Sequence, residues 1–447
     1  MKPARLLLAA GLLLAGTIVP AHPARAGAAP ADSSARPIRL ADAVALASRN
    51  GLAIIQARGQ QRVSAASVRS TWASFLPTIN LSAGATRQYI SGSRTRVENG
   101  QIVTLPDEPW SYNAGIGASV QLFDGGQRLL ELKTARANSE AEGANVTAQH
   151  FNVVLNAKEQ FFNVLAARES EVAARTQLDQ AEQQRRTAIA RVRARAATRS
   201  DSLRSEIQVR NARLALLDAR NARELADASL TRAVGVPYTV TASPADSLES
   251  TMLSVGDEAV IGLAETGPMV RQARAELDAA RASRLSSWTG YLPTVTASYS
   301  RSANSTSRSF GLGGDDPTYS GSLRLSLSLP IWNQFQREEE VVRADVAEEN
   351  ARAALRDARL AAHESATRLL GTFHAAAERV AAQTASVEAA VEDLRVQQER
   401  YAAGNSTLLD VLTSQTQLDQ ARQSLIQARF DQRVAKAELE ALVGREL

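Results

Sequence analysis

The sequence of 447 residues contains no cysteine. This absence excludes disulfides, thiolate metal sites, cysteine nucleophiles and an acyl anchor on a processed N-terminal cysteine. Aromatic residues make up only 4% of the chain, which favours closely packed helices over a thick globular core. If the protein is held at a membrane, its own fold must hold it there.

The sequence also lacks the patterns of a catalytic or metal-binding site. Apart from His22, the histidines are His150, His363 and His374, and none has metal-ligand spacing. The Gly-rich segment 311–314 has neither the lysine nor the following helix of a phosphate-binding loop. The acidic residues are scattered along helix surfaces. We therefore expect no enzyme, no cofactor and no bound metal.

Long apolar runs are absent except at the start of the chain. A basic beginning is followed by the apolar run 6–19, which indicates a signal peptide over 1–26. Cleavage after Ala26 or after Ala21 fits the small residues there, and an uncleaved anchor is the alternative. No later stretch approaches the ~20 apolar residues of a transmembrane helix. We expect an exported protein that begins with a short periplasmic segment, 27–39.

The charge is nearly balanced once the leader is set aside. The formal net charge is +4, but Lys2, Arg5 and Arg25 all lie in the predicted signal peptide. A nucleic-acid-binding protein would carry a clear basic excess on the remaining chain. The composition therefore argues against a nucleic-acid partner.

The chain repeats itself, which predicts one structural unit used twice. We place the first repeat at 40–236 and the second at 258–447, joined by a linker at 237–257. The matched pairs are Gly51 with Gly267, Trp72 with Trp288, Leu76-Pro77-Thr78 with Leu292-Pro293-Thr294, Asp201 with Asp410, and Val234-Gly235 with Val443-Gly444.

Each repeat reads as helix, strand, loop, strand, long helix, turn and helix. Proline is absent from 110–236 and from 331 onward, so these windows permit long uninterrupted helices. The predicted elements are a helix at 40–74, strands at 76–90 and 111–123, helices at 127–188 and 200–235, a helix at 258–289, strands at 291–302 and 318–330, and helices at 334–398 and 406–444.

The predicted strands alternate apolar and polar residues, and the clearest run is Leu323 to Leu329. A soluble antiparallel sheet with one wet face is one interpretation. A transmembrane strand is the other, because the predicted helices carry coiled-coil seams that commit them to other helices. Only helices and closed barrels satisfy their backbone in lipid, and four strands are too few to enclose a channel. Three copies would supply twelve strands, which lies within the range of outer-membrane barrels.

Several motifs make the chain similar to a known family. They are the two Leu-Pro-Thr strand starts at 76–78 and 292–294, the segment 122–126 and, above all, the string 401–412 with Gln417-Leu418 and Ala421-Arg422. Over about residues 38–445 the sequence resembles the TolC-type outer-membrane efflux proteins.

The resemblance implies an α+β membrane protein that assembles as a homotrimer. It implies a 12-stranded β-barrel, with four strands per chain, continuous with a 12-helix periplasmic α-barrel of long coiled-coil helices. Residues 237–257 and the segment before Leu40 would form an equatorial domain. The implied partners are outer-membrane lipid, a periplasmic adaptor protein and an inner-membrane pump of the RND or ABC type. The implied role is the exit duct of a tripartite efflux or type I secretion system, which conducts small molecules or polypeptide across periplasm and outer membrane.

The resemblance also assigns the turns between paired helices to the periplasmic tips that meet the adaptor. In the second repeat these residues are Gly404 and Asn405, and in the first they are Arg195 and Ala196. A glycine suits the left-handed geometry that ends a helix. Arg195 departs from this pattern, which bears on how tightly the first turn can bend and on its contact with the adaptor. Its basic run, 191–195, is either a solvated tip or a contact for an acidic partner.

The family's periplasmic entrance gives the remaining candidate residues. Asp410 would place three carboxylates around one axis, and Thr413 replaces the family's next acidic residue. Tyr401 and Asp201 would form a phenol–carboxylate latch, while Ser406 replaces the family's basic latch residue, which predicts a weaker latch. For Asp410, Asp201 and Tyr401, an ordinary helix-surface role is the alternative.

A second reading of the whole chain is a periplasmic coiled-coil adaptor or tether without a pore. Adaptors have one helical hairpin flanked by β-rich domains. Here two hairpins alternate with two strand pairs, which favours the duct. Trp72 and Trp288, which precede the strands, fit either a membrane interface or buried packing beneath the sheet.

Overall fold

The fold comes from a computed structural model, which describes residues 35–89, 95–98, 100–104, 109–249, 252–311 and 315–447. The predicted signal peptide, 1–26, lies outside the described residues. Parts of the segment 27–39, of the loop 91–109 and of the Gly-rich segment 311–314 also lie outside them.

The described elements alternate long helices with short strands, as the pattern of the sequence predicts. In chain order they are β1 (Arg36–Ile38), α1 (Leu40–Asn50), α2 (Leu52–Ala73), β2 (Thr78–Thr86), β3 (Thr95–Glu98), β4 (Gln101–Thr104), β5 (Trp110–Phe123), α3 (Gln127–Arg193), α4 (Arg199–Val234), β6 (Val240–Ala242), α5 (Asp257–Ala264), α6 (Pro268–Ser287), a 3-10 turn (Trp288–Tyr291), β7 (Thr294–Ser307), β8 (Asp315–Ser328), α7 (Gln336–Ala402) and α8 (Leu408–Val443).

The helices form two hairpins of equal dimensions. Helices α3 and α7 have 67 residues each, and α4 and α8 have 36 each. A helix of that length spans about 100 Å at 1.5 Å per residue. Helix α3 packs along α4, α7 packs along α8, and α3 also contacts α8 across the two hairpins. In the described part of the chain, no helix is both long enough and apolar enough to cross a membrane.

Two helices predicted as continuous are interrupted. The helix predicted at 40–74 breaks at Gly51, whose backbone leaves the helical region at φ −58° and ψ 132°. The helix predicted at 258–289 is divided into α5 and α6, because Pro268 begins α6 at its first position. A proline cannot donate the hydrogen bond that would continue the preceding helix. The periodicity of the apolar residues runs through both breaks and conceals them.

The strands also differ in extent from their predicted bounds. Strand β2 ends at Thr86 rather than 90, whereas β7 and β8 extend to Ser307 and begin at Asp315. The loop between β7 and β8 is therefore shorter than predicted. The loop predicted at 91–109 contains the additional hairpin of β3 and β4.

Four strands form one antiparallel sheet in the order β2–β5–β7–β8. Its register places the apolar positions of all four strands on one face. Across one row, Ala118 pairs with Ile79 and with Tyr299, and Tyr299 pairs with Leu323. Hydroxyl groups line the opposite face, where Ser300 and Ser322 approach within 2.9 Å.

The chain itself leaves the apolar face of this sheet uncovered. Leu81 is 82% exposed and Leu323 is 81% exposed. Leu325 and Leu327 are exposed as well. A sheet that buries one face against its own helices would show the reverse. The apolar face of the sheet must therefore meet something outside the chain.

The hydrophobic core lies midway along the long helices instead. One cluster surrounds Phe161 of α3 and includes Leu230, Val240 and Leu248. A second surrounds Phe373 of α7 and includes residues of α5 and α8. Strands β1 and β6 pair in parallel beside the first cluster. The linker predicted at 237–257 thus packs around the middle of the molecule.

Asp124 fixes the corner where β5 turns into α3. One carboxylate oxygen accepts from the Gly126 amide at 3.0 Å, and the other accepts from the Arg128 amide at 3.2 Å and from its guanidinium. Gly125 and Gly126 have φ of 64° and 87°, which glycine adopts without steric cost. Burial alone would raise the pKa of Asp124, but the hydrogen bonds from Arg128 and Gly126 outweigh it and lower the pKa.

We expect Asp124→Asn to destabilise the protein by about 1.5–3 kcal/mol at pH 7, because charge-assisted hydrogen bonds are lost at a buried site. Since the folded-state pKa is lowered, this stabilisation is present above the unfolded pKa of about 4 and is lost as pH falls below it. Urea denaturation at pH 7 and at pH 3 measures both effects.

The matched control is Asn333→Ala at the corresponding corner of the second half. The Asn333 side-chain oxygen is buried without a hydrogen-bond partner in the described structure, so a smaller loss is expected. Equal losses in the two variants would contradict the role given to Asp124.

Candidate functional site

The two helical hairpins end in turns of the same geometry. In the first turn the Ala196 amide donates to the Arg191 carbonyl at 2.8 Å. In the second, the Asn405 amide donates to the Arg400 carbonyl at 2.8 Å. Such a six-to-one hydrogen bond closes the C-terminus of a helix. We call these turns, 194–198 and 403–407, the first tip and the second tip.

Each tip contains one residue in the left-handed region. Gly404 has φ of 82°, and Arg195 has φ of 59° at the matching position. The first tip therefore bends as the second does, because Arg195 adopts the conformation of the glycine. This conformation costs a non-glycine residue roughly 1–2 kcal/mol. The neighbouring residues Ala196 and Asn405 are exposed at the tips.

Asp410 caps the helix that leaves the second tip. Its carboxylate accepts from the Thr407 amide and hydroxyl, each at 2.8 Å, and from the Ser406 hydroxyl at 3.0 Å. The Asp410 amide donates back to the Thr407 hydroxyl at 3.3 Å. The hydrogen bonds from the Thr407 backbone and hydroxyl lower the pKa of Asp410. This carboxylate therefore stays ionised over the neutral range.

Asp201 makes the same capping box with Thr198 at the first tip, with distances of 3.0 Å to the amide and 2.9 Å to the hydroxyl. Both boxes are visible in the sequence as a threonine followed three residues later by an aspartate. Sequence reasoning assigned the two aspartates to an entrance and overlooked their capping role. The two roles are compatible, because capping leaves the negative charge in place.

Tyr401 does not bond to Asp201 within the chain. Its hydroxyl is buried and has no hydrogen-bond partner in the described structure, and burial raises its pKa. The ring instead lies against Arg191 of the first hairpin, whose guanidinium carbon is 4.4 Å from the ring centroid. The predicted phenol–carboxylate latch is thus absent from the single chain, and an arginine–tyrosine contact takes its place.

Arg191 also reaches the carbonyl groups at the end of α7. Its guanidinium donates to the carbonyl oxygens of Tyr401 and Ala402, the second at 3.3 Å. A cation at a helix C-terminus is stabilised by the helix dipole. Sequence reasoning missed this contact, because Arg191 and Tyr401 are far apart in the chain and share no motif.

Ser406 and Thr413 serve local structure at the second tip. Ser406 contacts Asp410 and lies 3.3 Å from the side-chain oxygen of Gln397. The Thr413 hydroxyl donates to the Leu409 carbonyl at 2.9 Å. Neither side chain carries a charge, so the carboxylate of Asp410 is the charged group on this side of the turn.

A cavity of about 400 Å³ lies between α3 and the ends of α7 and α8 that flank the second tip. It is lined by Gln180, Gln184, Tyr401 and Val411, among others. Both polar atoms of the Gln184 amide are buried without partners in the described structure. The seam between the two hairpins is therefore loosely packed and polar near the tips.

Two of the histidines, His363 and His374, lie beside carboxylates. His363 lies 3.2 Å from Glu265, and His374 lies 3.0 Å from Asp257. Among the described residues there is no group of three or more His, Cys, Asp and Glu side chains placed to hold a metal ion.

A known protein family matches the chain in two segments. The family described as "Outer membrane efflux protein" matches residues 44–236 and 263–445. These segments fall on the two halves of the described fold. The Pseudomonas aeruginosa "Pyoverdine export outer membrane protein OpmQ" is 27% identical over 405 residues, covering 88% of this chain and 80% of that protein.

Solved structures share the fold at low sequence identity. The structure of CusC superposes with a TM-score of 0.75 at 17% identity, covering 91% of this chain and 92% of that one. The open state of the Neisseria gonorrhoeae MtrE outer membrane channel superposes with a TM-score of 0.72 at 21% identity, covering 91% and 89%.

We expect Arg195→Gly and Gly404→Ala to change the stability of their turns in opposite directions. The first relieves the left-handed strain and stabilises its tip by about 0.5–1 kcal/mol after the entropy of glycine is counted. The second adds the strain and destabilises by about 1 kcal/mol, since a Cβ at Gly404 meets no atom within 4 Å and the effect is purely conformational.

Hydrogen exchange of the Ala196 and Asn405 amides, which close the two turns, measures these changes separately. Protection of Ala196 should rise in Arg195→Gly, and protection of Asn405 should fall in Gly404→Ala. Shifts of the same sign in both variants would rule out backbone strain as the cause.

Proposed function

The chain belongs to the outer membrane efflux protein family, and from this premise we propose that three copies close one continuous duct across the outer membrane and the periplasm. Its function is that of the outer-membrane exit duct of an efflux system. The uncovered apolar face of the four-stranded sheet is the observation that supports this assembly.

The edges of the sheet support the assembly of several copies. Strands β2 and β8 each pair on one side only, so each leaves a row of backbone groups without partners in the sheet. Such an edge is not tolerated in hydrocarbon. Pairing β8 of one copy with β2 of the next removes all edges, and three copies give a barrel of twelve strands. The apolar face then meets lipid.

Arg301 is an exception on the apolar face. It pairs with Ile116 and Gly321, and its guanidinium carbon lies 5.7 Å from the centroid of the Tyr319 ring. Arg301 is the eighth residue of the 14-residue β7, so it interrupts the apolar pattern at mid-strand. Its aliphatic stem can stay on the apolar face while its charge extends along the Tyr319 ring.

The opposite face supplies a polar lining for the lumen. Serine hydroxyls pair across strands, as between Ser302 and Ser320 at 2.8 Å. Arg324 lies on this face beside Leu323. We propose that the duct is filled with water and conducts passively, without a cofactor.

The helices carry a second set of uncovered apolar positions. On α4, Leu203, Ile207, Leu214 and Leu217 are all exposed, and their three-, four- and seven-residue spacing places them on one stripe. Coiled-coil seams have this spacing. We propose that α4 of one copy packs against α7 of the next, so that three copies form a periplasmic α-barrel of twelve helices from two structural repeats per chain.

The tips form the periplasmic end of the duct. We propose that Gly404, Asn405, Arg195 and Ala196 meet a periplasmic adaptor, which couples the duct to an inner-membrane pump of the RND or ABC type. Asp410 contributes three carboxylates to the entrance. The protein reaches the outer membrane after export through a cleaved signal peptide. A tether without a pore leaves the apolar sheet without a role, so the duct is favoured.

Arginine substitutions on the two faces of β8 test which face of the sheet meets lipid. We expect Leu323→Arg to cost roughly 2–4 kcal/mol of stability in the membrane, because the charge faces lipid. Ser322→Arg, one residue away on the polar face, faces water and should assemble normally. Heat-resistant oligomers in the outer-membrane fraction measure assembly. Equal assembly of both variants, or loss in Ser322→Arg alone, would overturn the orientation of the sheet.

Asp410→Asn tests the entrance charge. The amide oxygen keeps the helix cap, while the loss of three negative charges per trimer should reduce the preference for cations. Reversal potentials in planar bilayers under a salt gradient measure this preference, with Asp410→Glu as the charge-preserving control. Because the pKa of Asp410 is lowered, the wild-type preference should persist down to about pH 4. An unchanged reversal potential would remove Asp410 from the conducting path.

A further inference from the structure

Arg191 joins the two hairpins of one chain at their tips. Its guanidinium bonds to the last carbonyl groups of α7 and lies on the ring of Tyr401. It crosses the seam between α3 and the second hairpin, the seam in which Gln180 and Gln415 also meet at 2.8 Å. The second hairpin has an equivalent arginine, whose corresponding contact the single chain cannot make.

Arg400 occupies the position of Arg191 in the second hairpin. The carbonyl of each accepts the amide that closes its own tip, from Asn405 and from Ala196, both at 2.8 Å. Each residue lies in the last turn of a 67-residue helix. Their Cα–Cβ bonds therefore leave the two helices in equivalent directions.

Arg400 nevertheless lacks the contact that Arg191 makes. Its side chain is exposed and has no hydrogen bond or ion pair within the described part of the chain. Its positive charge acts on Asp410 only through space, where it helps to lower the pKa of that carboxyl group. The carbonyl groups at the end of α3 correspondingly lack a guanidinium donor from the described residues. The Val192 carbonyl accepts the Arg195 amide, as the Tyr401 carbonyl accepts the Gly404 amide, but no guanidinium from the described residues reaches it.

We infer that Arg400 of one copy bonds to the C-terminal carbonyl groups of α3, at Val192 and Arg193, in the next copy. The inference rests on the proposed trimer, in which hairpins of the first and second kind alternate around the axis. In that ring, α3 faces the second hairpin of its own chain in the same way as α7 faces the first hairpin of the next copy. Six arginine contacts would ring the entrance, three within chains and three between them.

The contact between copies is the weaker of the two kinds. Val192 stands where Tyr401 stands in the other hairpin, so the guanidinium has no aromatic face beneath it. Arg193, Arg195 and Arg199 near this end of α3 repel Arg400, whereas the matching residues Ala402, Gly404 and Leu408 are uncharged. The entrance should therefore separate between copies before it separates within a chain.

Paired cysteines test the arrangement, because the natural chain contains none. Arg400→Cys with Ala194→Cys probes the contact between copies, and Arg191→Cys with Ala403→Cys is the matched pair within a chain. Ala194 and Ala403 are exposed at equivalent places on the two tips. A bismaleimide whose spacer has the length of an arginine side chain joins the thiols in the detergent-extracted protein.

The first pair should give covalent dimers and trimers on a denaturing gel, and the second should give only internally linked monomers. Single-cysteine variants should give neither. Failure of the first pair to link chains, in a protein that remains trimeric and links internally through the second pair, would overturn the inference. A monomeric wild-type protein in the same detergent would instead overturn the proposed trimer.

Arg400→Ala tests the role of the contact, with Arg400→Lys as the variant that retains the charge. Loss of the contact should raise single-channel conductance in planar bilayers, and Lys should restore part of the wild-type value because it keeps a cation at the helix end. Conductance identical to wild type in Arg400→Ala would overturn the role even where the thiols cross-link.

Discussion

The structure depends on a constraint that the single chain cannot meet, namely that every backbone hydrogen-bonding group in lipid must have a partner. Four strands with an uncovered apolar face supply a membrane-spanning surface, but the outer sides of β2 and β8 remain unpaired. A monomer with this sheet is stable neither in water, where the apolar face is exposed, nor in lipid, where the strand edges lack hydrogen-bond partners. In the proposed trimer, identical copies pair edge to edge and the sheet closes without a free edge.

The helical part obeys the same logic with weaker forces. The first hairpin is held together internally by small buried residues such as Ala212 and Ala181, which let its helices approach closely, and the second by Leu394, Val411 and Leu418. The seam between hairpins is different, because it contains Gln415, Asp419 and Gln184 with polar atoms that lack partners in the described structure. Burial raises the pKa of Asp419.

Much of this architecture follows from the sequence, because its causes are local. Long helices follow from windows without proline, and the strand faces follow from the alternation that ends in Leu323 to Leu329. The breaks at Gly51 and before Pro268 were missed, because apolar periodicity continues through them. The capping roles of Asp201 and Asp410 were also missed, although each follows a threonine at the spacing of a capping box.

Contacts between distant segments could not be predicted in the same way. Nothing near Arg191 in the sequence points to Tyr401, since their contact exists only once α3 has been laid against the second hairpin. The left-handed conformation of Arg195 is similar, because local preference argues against it and the surrounding turn imposes it. Sequence patterns thus specify the elements, while packing decides which side chains meet between them.

The number of chains in the assembly tests the central claim most directly. Native mass spectrometry of the protein extracted from membranes into detergent should give three chains per particle, with no stable species in water once detergent is removed. A monodisperse single chain that remains soluble without detergent would contradict the account, because its four-stranded sheet would then need neither lipid nor a second copy.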